Sequence, residues 1–156
     1  MLGRVCLLLI AALCFCGCTE SDVKRGKVAL DIGDFDRAVT NFSKALDADP
    51  GNRDARYGLA LAYYAIAENK EHVKQPTRDL WERTVREFKI LSKIDMGGSI
   101  NGAYSTSLFY LARATLAENS RANVVPMLDQ SVALDSLNFF SYNLKALILG
   151  NAGSTE

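Results

Sequence analysis

The sequence predicts an all-α solenoid of helix–turn–helix hairpins, and three observations point to it. Small residues recur at a fixed step: Gly26 is followed 34 residues later by Ala60, and Ala112 by Ala146. Apolar residues keep helical spacing, as in Ala38, Phe42, Ala45 and Leu46, which share one face at i, i+4, i+7 and i+8. No segment alternates apolar and polar residues long enough to make a convincing strand. One hairpin cannot bury its own apolar face, so stacking must supply the core.

The amino end reads as an address. Met1–Arg4 carries one positive charge, and Val5–Cys16 follows with no charged or polar-amide residue, closing on Gly17-Cys18 before Thr19-Glu20-Ser21-Asp22. A spanning helix needs about 20 apolar residues, so this shorter run fits the core of a signal peptide over residues 1–17. All four cysteines (Cys6, Cys14, Cys16 and Cys18) lie within it or at its edge. A processed chain would keep Cys18 alone, which rules out an internal disulfide framework and a thiolate metal site. The Gly17-Cys18 junction resembles a bacterial lipoprotein lipobox, although Phe15 stands where that pattern usually has Leu. The resemblance implies diacylglyceryl on the Cys18 sulfur, palmitate among the acyl chains, and stable anchoring by several chains where one would not suffice. Thr19 after the cysteine implies the outer membrane, facing the periplasm. An ordinary cleaved signal peptide or an uncleaved anchor are the alternatives. Only Thr19 to about Ser21 is expected to separate the lipid from the first helix.

The remaining chain, about 139 residues, is one domain's worth. Without Arg4 it carries 17 Lys+Arg against 18 Asp+Glu, a near-zero balance that argues against nucleic acid, which asks for a basic excess. Adequate apolar content and low net charge disfavour disorder.

Repeat one, residues 19–52, holds Gly26, Gly33, Phe35, Ala38, Phe42, Ala45-Leu46 and Pro50. In this register the stretch GDFDRAVTNFSKALDADPGN resembles the tetratricopeptide repeat. Gly33 suits a left-handed position after the first helix, Asp34 or Asp36 can cap the second, and Pro50 ends it. Repeat two, about 53–98, has its first helix in RYGLALAYYAIAEN and its second in LWERTVREFKILSKID. Thr84, Phe88 and Leu91 take the places of Ala38, Phe42 and Ala45. Two inserts lengthen it, one polar near Glu68–Arg78 and one glycine-rich near Met96–Asn101. Repeat three, 105–138, offers Val124, Leu128 and Ser131 in the second helix but lacks the mid-repeat Gly and closing Pro. Its Pro126 falls early in that helix, where proline is tolerated. A last helix, 139–149, has Tyr142 and Ala146 at first-helix positions and no second helix, as a solenoid cap would. Residues 151–156 are expected to be a disordered tail. Seven helices result, in three antiparallel pairs plus the cap.

Chemistry finds little purchase. His72 is the only histidine, so histidine clusters and relays cannot form within one chain, and it reads as a solvated insert residue. Met96–Gly102 only loosely resembles a phosphate cradle; it lacks the following Lys-Ser/Thr and a preceding strand, and reads as a flexible, open loop. Asp34/Asp36 and Asp47/Asp49 sit at helix ends, where capping explains them. Neither catalysis, a metal nor a cofactor is expected.

Binding is another matter. By resemblance, first helices line a concave groove. Repeat two would offer Tyr57, Leu61, Tyr64 and Ala65, repeat three Phe109, Arg113 and Leu116, the cap Phe140, and repeat one Val23, Lys27 and Leu30. Some family members clamp a partner's terminal carboxylate; here Val23, Gly58, Thr106 and Tyr110 occupy the clamp positions, so chaperone-tail recognition is not implied. The aromatic lining suits an extended or helical segment with apolar anchors, unless the rings pack within the repeats. Lys70, His72, Lys74 and Arg78 with Trp81 read either as a basic-aromatic patch for anionic membrane or as a solvated charged loop. The implied function is a non-catalytic, membrane-anchored adaptor or scaffold of the bacterial envelope, with pilotins as an analogy. The alternative is a structural lipoprotein that self-associates through repeat three and the cap, without a peptide client.

Overall fold

Helix follows helix from the first described residue. The computed structural model describes residues 19–94 and 97–152, so the signal segment 1–17, Cys18 and residues 153–156 of the expected tail lie outside them. Helix α1 covers 19–31, α2 Phe35–Ala48, α3 Arg53–His72, α4 Arg78–Leu91, α5 Asn101–Glu118, α6 Val125–Leu134 and α7 Phe139–Ala152. Two 3-10 turns, Ser92–Ile94 and Gly97–Ile100, lie between α4 and α5. Among the described residues there is no strand, and the fold is all-α. Helix α1 is already formed at Thr19, so the short spacer expected at 19–21 is helical instead. The chain divides into two compact units after Ile66.

The first unit is built around Phe42. Its α1–α2 turn closes with Gly33 at φ 76°, while the Gly33 N–H donates to Leu30 O at 3.0 Å and Asp34 N–H to Ala29 O at 2.9 Å. These two bonds satisfy carbonyls that the end of α1 leaves open. The Asp34 carboxylate accepts from the Arg37 N–H at 3.2 Å and caps α2, which decides between the two candidate aspartates. Helix α2 then buries Ala38, Phe42 and Ala45 completely. The Phe42 ring fills the space that side chains at Gly26 and Gly58 would need: a Cβ on Gly26 would stand 2.6 Å from the ring, and one on Gly58 closer still. Two helices thus approach a third through missing side chains. Asn52 caps α3 by accepting from the Ala55 N–H at 2.9 Å. Val23, Ala29, Ala55, Leu59 and Ala62 complete this core, with Leu30 packed against it.

The second unit comprises the end of α3 and α4 to α7. Helix α4 buries Leu80, Trp81, Thr84, Phe88 and Leu91, and the Phe88 ring lies 6.0 Å from that of Tyr104 on α5. Burial pushes the Tyr104 phenol up, against an opposing pull from the Gln130 amide that donates to its oxygen. The glycine-rich segment differs from the open loop expected there. Gly97–Ile100 winds into a 3-10 turn because Ile100 is drawn into the core. Pro126 sits in the first turn of α6, where it displaces no helical hydrogen bond.

Helices α5, α6 and α7 meet at a closed polar knot that the repeat pattern did not announce. Ser105 and Ser131 each donate to the other's backbone carbonyl at 2.8 Å. The Ser141 hydroxyl lies 2.7 Å from that of Ser131. The Asn138 amide donates to Ser105 Oγ at 2.8 Å and Ser131 Oγ at 3.2 Å, while its carbonyl accepts from the Ser141 N–H at 3.2 Å. All three serines are fully buried. Small side chains bring the helices close, and mutual bonding removes the desolvation penalty of burying them.

Three substitutions should change stability. Gly58→Ala should lower the unfolding free energy by about 1–3 kcal/mol through overpacking, read from denaturant melts. Gly102→Ala, whose Cβ would meet nothing within 4 Å, should raise it by about 0.5–1 kcal/mol. Ser131→Ala, which strips partners from Ser105, Asn138 and Ser141, should cost about 1–3 kcal/mol. A neutral result for Ser131→Ala in the same melts would mean the knot contributes nothing.

Candidate partner-binding surface

On the second unit, α5 carries Phe109, Tyr110 and Arg113 beside α4, α7 and the end of α3. Trp81 lies fully buried beneath, its ring 4.8 Å from that of Tyr110 and nearly parallel to it. One turn along α5, the Arg113 guanidinium lies over Tyr110 at 4.8 Å and 6.0 Å from the Phe109 centroid, where the ring faces attract a cation. Phe109 meets Tyr110 edge-on at 5.2 Å and reaches Phe140 of α7 at 5.6 Å.

Glu71 holds this assembly from α3. One of its carboxylate oxygens accepts from Thr77 Oγ1 at 2.6 Å and from Trp81 Nε1 at 3.3 Å. The other pairs with Arg113. Arg113 is therefore gripped by an anion and a ring, yet its side chain stays 47% exposed. An ordered but accessible cation beside half-buried Phe109 and Tyr110 and exposed Phe140 is suited to recognition: it loses little freedom when it meets a partner.

The predicted groove residues separate into groups. Phe109, Arg113 and Phe140 come together as described. Leu116 is half-buried and packs, with Phe109, against the Ala112, Val124 and Leu128 core. In the first unit, Tyr57, Leu61 and Tyr64 are half-buried along one face of α3, at i, i+4 and i+7, apart from the buried Ala55, Leu59 and Ala62. Val23 belongs to the core rather than a lining, and Leu30 packs on it, because the apolar stripe of α1 turns inward. Lys27 is exposed and pairs with Asp54 at 2.6 Å.

The basic-aromatic patch does not form. Trp81 points into the core, as its place one residue from Leu80 and three from Thr84 on the buried face requires. Arg78 pairs with Glu118 at 2.7 Å and Glu82 at 3.1 Å, and those acids, Glu118 foremost, hold its pKa above the ordinary value. Sequence reading missed Glu71 and Tyr110 as parts of the surface. Their only signal was the helical offset of Tyr110 from Arg113; the reach of Glu71 depends on how α3 ends. That end places Lys74 at φ 56°, the left-handed position where Gly33 serves α1.

Among the described residues, no group of three His, Cys, Asp or Glu side chains could hold a metal ion. No described helix is long and apolar enough to cross a membrane. Residues 23–70 match the family model described as a tetratricopeptide repeat. No curated protein matches the chain.

The single tryptophan of the chain gives a direct readout of this surface. Glu71→Ala should shift Trp81 emission and cost about 1–3 kcal/mol, because Thr77, Trp81 and Arg113 all lose their shared acceptor. Unchanged emission and stability would show that Glu71 does not organise the cluster.

Proposed function

We propose, for a chain that is a tetratricopeptide repeat protein with its repeat matched over residues 23–70, a non-catalytic adaptor that holds a partner polypeptide at a membrane. Repeats of this family form a protein-interaction fold. The observation that carries the reading is the surface made by Phe109, Arg113 and Phe140. It pairs an ordered, exposed cation with aromatic anchors, and such residues dominate binding energy where proteins meet. Tyr57, Leu61 and Tyr64 offer amphipathic rings and an aliphatic anchor on their own unit. A short extended or helical segment with apolar side chains is the ligand these faces suit.

The membrane half of the reading rests on the sequence. Residues 1–17 act as a lipoprotein signal peptide, Cys18 receives the lipid, and the mature protein faces the periplasm from the outer membrane of a bacterial envelope. Helix at Thr19 supports a domain held close to the bilayer, since a helical start leaves no long flexible tether after Cys18. A pilotin-like role, escorting an envelope machine's subunit, fits that position.

Two measurements test the halves separately. Phe109→Ala with Arg113→Ala, or Tyr57→Ala with Tyr64→Ala, should cut partner capture in intact cells by tenfold or more while helicity by circular dichroism holds. Capture unchanged in both double variants would remove these surfaces from the proposal. Cys18→Ser should release the protein from the membrane fraction, and mass analysis of the native amino terminus should find acyl chains on cysteine. An unmodified terminus would end the lipoprotein assignment and leave the binding assignment standing.

A further inference from the structure

Helix α7 packs on the second unit through Ser141, Leu144 and Ile148. Ser141 is buried in the polar knot, and the other two pack on the Ala112, Val124 and Leu128 core. Its other side is uncovered. Phe139 is 67% exposed, Tyr142 46% and Leu149 52%, and Ala146 is exposed between them. These four residues fall at i, i+3, i+7 and i+10. That is the spacing of a coiled-coil seam, which presents one continuous stripe to a facing helix. Helices α1 and α5 are each followed by a helix that packs back against it. Among the described residues, α7 has none.

The geometry points to a second copy of this chain as the occupant, with α7 of one copy lying antiparallel on α7 of the other. Charge is the first reason. The seam carries none, and the one charged residue of α7, Lys145, is held at its flank by Asp129. A charged peptide or an anionic lipid surface would find no free counter-charge there, whereas the seam meets itself neutral against neutral. Shape is the second. An antiparallel pair related by a two-fold axis beside residue 144 sets Phe139 opposite Leu149 at both ends. It sets the large Tyr142 opposite the small Ala146 at both inner layers. Large against small at facing positions is the arrangement in which two helices interdigitate without voids. A two-fold pair of this kind is also closed, so association stops at the dimer. The knot adds rigidity: Asn138 and Ser141, bonded inside, fix the first turn of α7 and hold Phe139 outward.

This pairing uses none of the residues assigned to partner capture, so the two fail independently. The test uses the full chain in cells, expressed as two differently tagged copies, with photo-crosslinking p-benzoylphenylalanine in place of Asn143, which is exposed at the flank of the seam. Irradiation should give an adduct of twice the monomer mass that carries both tags. Tyr142→Asp with Leu149→Asp should reduce that adduct at least tenfold without loss of helicity, and Phe109→Ala with Arg113→Ala should leave it in place. An adduct with a different protein, no adduct at all, or an adduct that survives the two aspartates would each overturn the proposal.

Discussion

Much of this protein depends on how closely its helices approach, and Phe42 marks one such point. A ring buried between two glycines removes its whole apolar surface from water, a gain of roughly 1.5–3 kcal/mol by itself. The larger effect is geometric. With hydrogen alone at Gly26 and Gly58, α1 and α3 can both come against the face of α2 that carries the ring. The second unit solves the same problem with other chemistry. There the close approach of α5, α6 and α7 runs through serines, whose hydroxyls must be answered inside, and Asn138 answers them. An apolar wedge tolerates small shifts in angle, whereas a hydrogen-bonded knot holds only near its bonding distances. The two units therefore have differently enforced geometries.

The candidate surface inherits that stiffness. Phe109 and Arg113 stand on α5, whose register the knot holds at Ser105, one to two turns earlier. Phe140 stands on α7, held at Ser141. Glu71 then takes three donors on one carboxylate, which ties the end of α3 to α4 and α5. Buried Trp81 supports Tyr110, and Tyr110 supports Arg113. The exposed part of the surface is small, and much of its support is buried polar and aromatic contact. That division explains how a helical hairpin with little conventional chemistry can present an ordered cation.

How far the sequence carried this varies by element. Repeat one was legible almost residue by residue: Gly33 for the left-handed turn, Asp34 or Asp36 for the cap, Phe42 for the core. Each of those is a local rule, or a contact between nearest helices at a known offset. The second helix of repeat two was legible in Thr84, Phe88 and Leu91 for the same reason. Trp81 was grouped with Lys70, His72, Lys74 and Arg78, as patch or as solvated loop, while on the helix it shares the buried face of Leu80 and Thr84. Val23 was read as lining and is core. Position in a repeat says which helix a residue is on, but its burial depends on what packs over it.

Local pattern therefore determined the all-α class, the hairpins, their turns and most of the residues that face inward, since these follow from helical periodicity and backbone sterics over a few residues. Tertiary structure alone decided the Glu71 clasp, the serine–asparagine knot and the exposure of one α7 stripe. Each of these joins residues from different helices at distances of a few ångströms, and a one-dimensional spacing holds no information about which side chains will meet across such a gap.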